Sequence, residues 1–234
     1  PIHHLGSVVL ESERLLLRPF VLEDAPAMFK YASDKESTQF MRFSTHQSIQ
    51  DSKDIINNGL KRQSRVLHLG DRMKECNELI GSIGLVDVNE FHLLAEVGYI
   101  LRRDHWRKGL ATEALSTVIR FCFERLGMNR LESCHSIENP ASGRVMEKAG
   151  MVREGVKREY FPTDHGFVDC PIYAITRSDY DTLVAMNEVF VVANTQNGCI
   201  TVSEHDQLCA LLNGGDNPPL PIVQVLHLLF IEGS

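Results

Sequence analysis

The chain has 234 residues, 43% hydrophobic and 24% charged, with 24 Lys and Arg against 31 Asp and Glu for a net charge of −7. Against a usual domain size of roughly 100–200 residues this reads as one generous soluble domain, or one domain with a small appendage, and excludes disordered, collagen-like and coiled-coil classes. The acidic balance argues against a nonspecific grip on phosphate, so no direct nucleic-acid binding is expected, and it favours cationic partners only weakly.

In chain order, residues 13–20 form a short apolar run closed by Pro19, which reads as an edge strand because proline cannot donate to a central ladder. Residues 22–33 place Leu22, Ala25, Met28, Phe29 and Ala32 at helical spacing, with Glu23 and Asp24 in the first turn. Ser48 or Asp51 caps a second helix running to about Gln63, with Ile49, Ile55, Ile56 and Leu60 as its buried side. Strands follow at 66–70, 79–88 and 96–101, joined by a polar turn at 74–77 and a connection holding Phe91 and His92, and their short turns predict an antiparallel meander. Residues 105–126 carry a stripe of Ala111, Ala114, Leu115, Val118, Ile119 and Phe123, a long amphipathic helix with a glycine near its start. A strand at 130–136, a helix at 140–149 stopped by Gly150, and a hairpin of 152–160 with 167–175 complete a mixed α/β sheet.

Beyond Tyr180 the pattern predicts a strand at 189–193, a helix at 203–212 capped by Ser203, a loop at 214–221 and an apolar helix or strand at 222–230. The expected organisation is a domain of residues 1–180 with a small extension of 181–234, either winged-helix-like or an interface arm. Its apolar Val225, Leu226, Leu228, Leu229 and Phe230 need cover from the main domain or from a second copy in a homodimer. The start of the chain shows no basic region followed by a long apolar run. No stretch approaches the roughly 18 apolar residues of a membrane span. The six cysteines show no C-x-x-C or zinc spacing, and no histidines pair at H-x-x-x-H on a plausible helix. A cytoplasmic protein with reduced thiols, no membrane and no metal is expected.

The most informative segment is Trp106-Arg-Lys-Gly-Leu-Ala-Thr-Glu-Ala114. Small residues at Gly109 and Ala111 let backbone N–H groups approach a ligand, and a starting helix aims its unpaired N–H groups and positive end at the same place. That is an anion cradle suited to a pyrophosphate, with Arg107 and Lys108 adding charge and Arg102-Arg103 just upstream. Taken alone, a glycine turn that only packs the helix reads as well.

After it come Leu126-Gly-Met-Asn-Arg-Leu-Glu132, then Ile137-Glu-Asn-Pro-Ala-Ser-Gly-Arg-Val-Met-Glu-Lys-Ala-Gly-Met151 and Arg153-Glu-Gly155. On these residues the sequence resembles the GCN5-related N-acetyltransferase (GNAT) superfamily, and within it the RimJ/RimL-type enzymes that acetylate ribosomal-protein N-termini, over about residues 10–180. The family's Q/R-x-x-G-x-G/A cradle maps onto Trp106, Gly109 and Ala111, its E-N-x-x-S onto Glu138, Asn139 and Ser142, and its E-K-x-G onto Glu147, Lys148 and Gly150. Arg107 stands where glycine is common, and Met151 where phenylalanine is usual.

The resemblance implies a mixed, mostly antiparallel GNAT sheet flanked by helices, and acetyl-coenzyme A as donor. It places the amides of Gly109, Leu110, Ala111 and Thr112 on the pyrophosphate and the backbone of Ile100 and Leu101 along the pantetheine arm. An N–H near Leu101 is the expected oxyanion donor. Glu96, opening the strand that leads to the cradle, is the candidate acceptor of the amine proton, against the plain reading of a solvated strand end or a salt-bridge partner. The thiolate-protonating tyrosine common in relatives is replaced by Met146, which leaves Asn139 and Ser142 as the candidates near the sulfur. Tyr99, Tyr160 and His135 carry lower weight. The leading function is acetylation of a protein or peptide N-terminus. The alternatives are a small cationic acceptor, aminoglycoside or polyamine, and a non-catalytic acyl-CoA-binding regulatory module. The acceptor opening is expected from residues 22–63 and 160–169.

Overall fold

In a computed structural model, which describes residues 8–61, 67–163 and 166–186, strand β2 (Leu15–Pro19) alternates fully buried Leu15 and Leu17 with outward Leu16 and Arg18. A two-residue strand β1 (Leu10–Glu11) pairs antiparallel with Leu16 and Leu17. β2 is therefore not the edge that its proline suggested, but Pro19 lies beyond the stretch that β1 covers. A 3₁₀ turn (Leu22–Asp24) leads into α1 (Ala25–Ala32), with Pro26 at its start, and a four-residue helix α2 (Lys35–Thr38) follows. α2 was not foreseen, because a single turn capped by Asp34 leaves no apolar period.

Helix α3 (Ile49–Lys61) begins where Asp51 reaches back to accept the N–H groups of Gln47 and Ser48 at 2.7 and 2.9 Å. Of its expected buried side Ile56 is in the core, while Ile49 and Ile55 are exposed at 41% and 39%; the side chain of Leu60 lies outside the described residues. The meander is β3 (His68–Met73), β4 (Leu79–Asn89) and β5 (Leu94–Leu101). The long helix α4 (Leu110–Glu124) starts five residues later than its pattern suggested, because Gly109 takes a left-handed φ of 75° and cuts it off from the 3₁₀ turn Arg103–His105. β6 (Arg130–Cys134), α5 (Pro140–Lys148), β7 (Val152–Thr163) and β8 (Gly166–Thr176) follow close to expectation, and the described residues end in a helix over 177–186 that was not foreseen.

Among the described residues the strands form one sheet in the order β1-β2-β3-β4-β5-β6-β8-β7, antiparallel except for β5 with β6. Ile100 of β5 packs with Phe20, Met28, Tyr31 and Ile56, so the α1 and α3 side covers the face on which Gly98 and Glu96 also lie. Tyr99, between them, points to the other face, where its hydroxyl meets Ser142 of α5. Two units divide the chain, Pro1–Arg177 and Ser178–Ser234. The elements expected at 189–193, 203–212, 214–221 and 222–230 lie outside the described residues. Among the described residues no helix is long and apolar enough to cross a membrane.

Asp24 is 4% exposed and fixes the turn into α1. It accepts both Nη atoms of Arg18 at 2.8 Å, Nη1 of Arg72 at 3.1 Å and the Val21 N–H at 3.0 Å. Removing it strands two largely buried guanidiniums without an anion. Asp24→Ala is expected to lower stability by about 3 kcal/mol in chemical denaturation; a midpoint unchanged within error would show the cluster to be superficial.

Candidate active site

The site begins where β5 and β6 part. They pair for only three residues, Leu94–Glu96 against Arg130–Glu132, and then the Ser133 hydroxyl donates to the Val97 carbonyl at 2.9 Å. On the other edge of β5, Arg102 N–H donates to Ile80 of β4 at 2.7 Å. Because backbone groups alternate along a strand, those of Tyr99 and Leu101 face the gap with no strand opposite. Ile100 was expected to offer its backbone there too, but its carbonyl is turned to β4, where a Cβ on Gly81 would collide with it. Its side chain still lines the opening. Leu101 keeps the expected orientation, with its carbonyl accepting the Trp106 indole N–H at 2.7 Å.

Beyond Trp106 the loop turns twice through left-handed backbone, at Arg107 (φ 61°) and Gly109 (φ 75°), and this leaves the first-turn N–H groups of Leu110, Ala111 and Thr112 without helical partners. Two tethers from the turn between β1 and β2 hold this end. Glu113 accepts the Ser12 hydroxyl at 2.6 Å and Arg14 N–H and Nε at 2.7 Å, and Arg14 Nη1 donates to the Lys108 carbonyl at 2.9 Å. Partial burial favours the neutral acid at Glu113, yet these hydrogen bonds outweigh it and hold the carboxyl below its usual range. Arg14 was not legible in the sequence, since its partner lies 99 residues away. Arg107 and Lys108 are exposed and form no ion pair with the described residues. Arg102 and Arg103 are instead committed, to Glu78 with Asp104 and to Asp34 with Glu36.

A cavity of about 420 Å³ runs through the gap from one face of the sheet to the other. Glu96, Ile100, Asn139 and Ser142 all line it, whereas the residues from Trp106 to Thr112 do not, so the expected site falls into a cradle and a cavity. Asn139 is the N-cap of α5, but its side chain makes no capping bond and its amide has no hydrogen-bond partner among the described residues. The Ser142 hydroxyl lies 2.8 Å from that of Tyr99, which also donates to the Ser142 carbonyl at 3.0 Å. Burial pushes the Tyr99 phenol above its usual range, so it stays protonated. Met146 is fully buried in the wall where the absent tyrosine was sought. His135 is buried with Nδ1 2.7 Å from the Ser136 carbonyl, and Tyr160 is half exposed on β7.

On the opposite face Glu96 Oε1 is 2.6 Å from Arg42 Nη2, and Oε2 accepts nothing from the described residues. The same Arg42 nitrogen lies 3.2 Å from Cys134 Sγ, itself 3.9 Å from Glu96, and the guanidinium sits 5.8 Å from the Tyr160 ring centroid. Neither Arg42 nor Cys134 was legible in the sequence. The hydrogen bond from Cys170 and the nearby guanidinium pull the Cys134 thiol below its ordinary range, while the Cys170 thiol is pushed up. The wall is completed by Phe40, Met41, Phe43, Ile55 and Phe161, from the two segments expected to form the acceptor opening. An ordinary thiol is only a few per cent thiolate at pH 7. Mass spectrometry should therefore find Cys134 alkylated by iodoacetamide at pH 7 severalfold faster than a free cysteine derivative, and slower again in Cys170→Ala; a rate no faster than the free thiol would contradict this cluster.

An acetyltransferase (GNAT) domain model matches residues 14–152. The chain is 33% identical over 171 residues to the uncharacterized N-acetyltransferase YoaA of Bacillus subtilis (strain 168), covering 72% of this chain and 97% of that protein. Its fold matches that of a GNAT-family acetyltransferase from Bacillus anthracis with a TM-score of 0.66 and 26% identity, over 73% of this chain and 99% of the other. It also matches Mycobacterium smegmatis RimJ in complex with CoA-disulfide, with a TM-score of 0.68, 21% identity and coverage of 74% and 90%. Shorter stretches are similar to a spermidine N(1)-acetyltransferase of Vibrio cholerae, 28% identical over 44% of this chain and 59% of that protein, and to the ribosomal-protein-serine acetyltransferase of Escherichia coli, 26% over 42% and 55%. A parted sheet, a helix that opens on a left-handed glycine, and a family match over more than half the sequence lead to one conclusion: this chain belongs to the GNAT family and is an N-acetyltransferase.

Proposed function

We propose that the enzyme transfers acetyl from acetyl-coenzyme A directly to the α-amine of a protein or peptide N-terminus. The observation that carries this reading is the Glu96–Arg42 pair, because the one carboxylate among the described residues that line the cavity shares an oxygen with a guanidinium. A lysine-like amine has a pKa near ~10.4 and demands a strong base, whereas an α-amine near ~8 is already partly neutral at pH 7. A carboxylate with one free oxygen suffices for the second. Relatives named for a ribosomal-protein serine and for spermidine represent both classes of acceptor, and the charge of this cavity favours the first.

In this reading the amides of Gly109, Leu110, Ala111 and Thr112, aided by Arg107 and Lys108, hold the pyrophosphate. Trp106 fixes the end of β5, and the backbone of Tyr99 and Leu101 pairs with the pantetheine arm while Ile100 walls it by its side chain. Bound acetyl-coenzyme A supplies the acyl group and a thiolate leaving group. Leu101 N–H stabilises the developing oxyanion. Glu96 Oε2 takes the amine proton, directly or through one water. As the new C–N bond forms and the C–S bond breaks, the Asn139 amide and Ser142 hydroxyl meet the charge on sulfur, with Tyr99 setting the Ser142 rotamer. Residues 1–180 carry all of this, and residues 181–234 are read as a separate C-terminal extension.

Two variants test the division of labour. Glu96→Gln should cut kcat about tenfold to a hundredfold with acetyl-coenzyme A affinity within twofold of the parent. Gly109→Val must hold a β-branched residue at positive φ and should shift the loop, raising the acetyl-coenzyme A Kd in calorimetry by about tenfold or more. An unchanged kcat in the first, or an unchanged Kd in the second, would remove the corresponding assignment.

A further inference from the structure

Deepening the N-terminal reading, on which this rests, we infer that the preferred acceptor bears a bulky uncharged first side chain, such as Leu, Met or Phe, and that Arg42 closes the cavity to cationic acceptors. The Glu96 side of the cavity is walled by Phe40, Met41 and Phe43 from the segment after α2, Ile55 of α3, Val86 of β4 and Phe161 of β7. Val86 is the extra residue of a bulge between Leu85 and Asp87, opposite the step from Val97 to Glu96, so the wall comes right up to the candidate base. A side chain seated there trades water for apolar surface on several sides.

Charge points the same way. Glu96 is the acid that lines the cavity, and its bound guanidinium is held on three sides, by the carboxylate at 2.6 Å, by Cys134 Sγ at 3.2 Å and by the Tyr160 ring at 5.8 Å. A second cation, Lys157, stands 4.6 Å from the same ring centroid. Burial holds the lining His68 neutral, with its pKa near 4. A polyamine, an aminoglycoside or a lysine-first peptide would have to give up water beside the held Arg42 guanidinium, where the one lining carboxylate among the described residues is already shared. A small first residue such as Ser or Ala would enter but leave the wall unfilled.

The test uses the full chain at saturating acetyl-coenzyme A, with pentapeptides of one sequence beginning in Leu, Met, Phe, Ala, Ser or Lys, and with spermidine and kanamycin alongside. The expected result is a kcat/KM at least about tenfold higher for the Leu, Met and Phe peptides than for Ala and Ser, with Lys lowest. In Arg42→Leu, which frees Glu96, the Lys-to-Leu ratio should rise about tenfold, while Arg42→Lys should keep the parental ranking. Should Arg42→Leu fail to fold, Ile55→Asp at a position 39% exposed brings a carboxylate to the same wall and should raise the same ratio. Ala- or Ser-first peptides equal to or better than Leu-first would overturn the apolar preference and leave the N-terminal reading standing. An unmoved Lys-to-Leu ratio in the folded Arg42→Leu or Ile55→Asp protein would overturn the charge argument. Spermidine or kanamycin turned over faster than every peptide, or no peptide acetylated, would overturn this inference and the N-terminal reading together.

Discussion

Backbone N–H and C=O groups inside a sheet are satisfied by a neighbouring strand or, where the strand ends, need a side chain, water or ligand instead. β5 and β6 stop pairing after three residues, and the rest of the site follows from the break. Ser133 satisfies one carbonyl at the fork and Trp106 another at the far end, which leaves the stretch between them open to an extended ligand. The break is built by local means. Arg102 N–H still bonds Ile80, so β5 stays paired with β4 to its end, with one bulge at Val86. β6 instead hands over to the turn at Ser136 and Asn139 that starts α5.

The gap also joins the two faces of the sheet, and each face brings different chemistry. On the α5 side stand neutral donors, the Asn139 amide, the Ser142 hydroxyl and the Tyr99 phenol kept protonated by burial. On the α3 side stands an ion pair, Glu96 with Arg42, beside a thiol whose pKa is pulled down. Period-two alternation along a single strand makes the separation, because Glu96, Gly98 and Ile100 point one way and Val97, Tyr99 and Leu101 the other. A donor bound on one face and an acceptor on the other meet through the gap with no need for either to cross the sheet.

Local signals made most of the fold legible. The spacing of Ala25, Met28 and Ala32, the stop at Gly150 (φ 89°) and the final hairpin each rest on residues close in sequence, and each appears where expected. The start of α4 was misjudged because an apolar period does not mark where a helix begins, whereas the boundary is set by φ at Gly109. The exposed Ile49 and Ile55 show the same weakness of periodicity, which marks a face without saying what covers it. Ile55 turns out to wall the cavity. The cradle, Asn139 and Ser142 were put forward from motif spacing, and Glu96 from its place at the opening of the strand before the cradle. Arg42 with Glu96, Arg14 with Glu113 and Tyr99 with Ser142 were not, since those contacts span 43 to 99 residues, or join a loop to a strand, and leave no local mark.

The central claim is that the backbone left unpaired by β5 and the N–H groups at the start of α4 receive one ligand together. Amide hydrogen exchange with and without acetyl-coenzyme A, read residue by residue, tests it most directly. The account predicts slowed exchange at Tyr99, Leu101 and Gly109 to Thr112 as one concerted set on binding. Tight binding with those amides unprotected, or with protection confined to other parts of the fold, would contradict it.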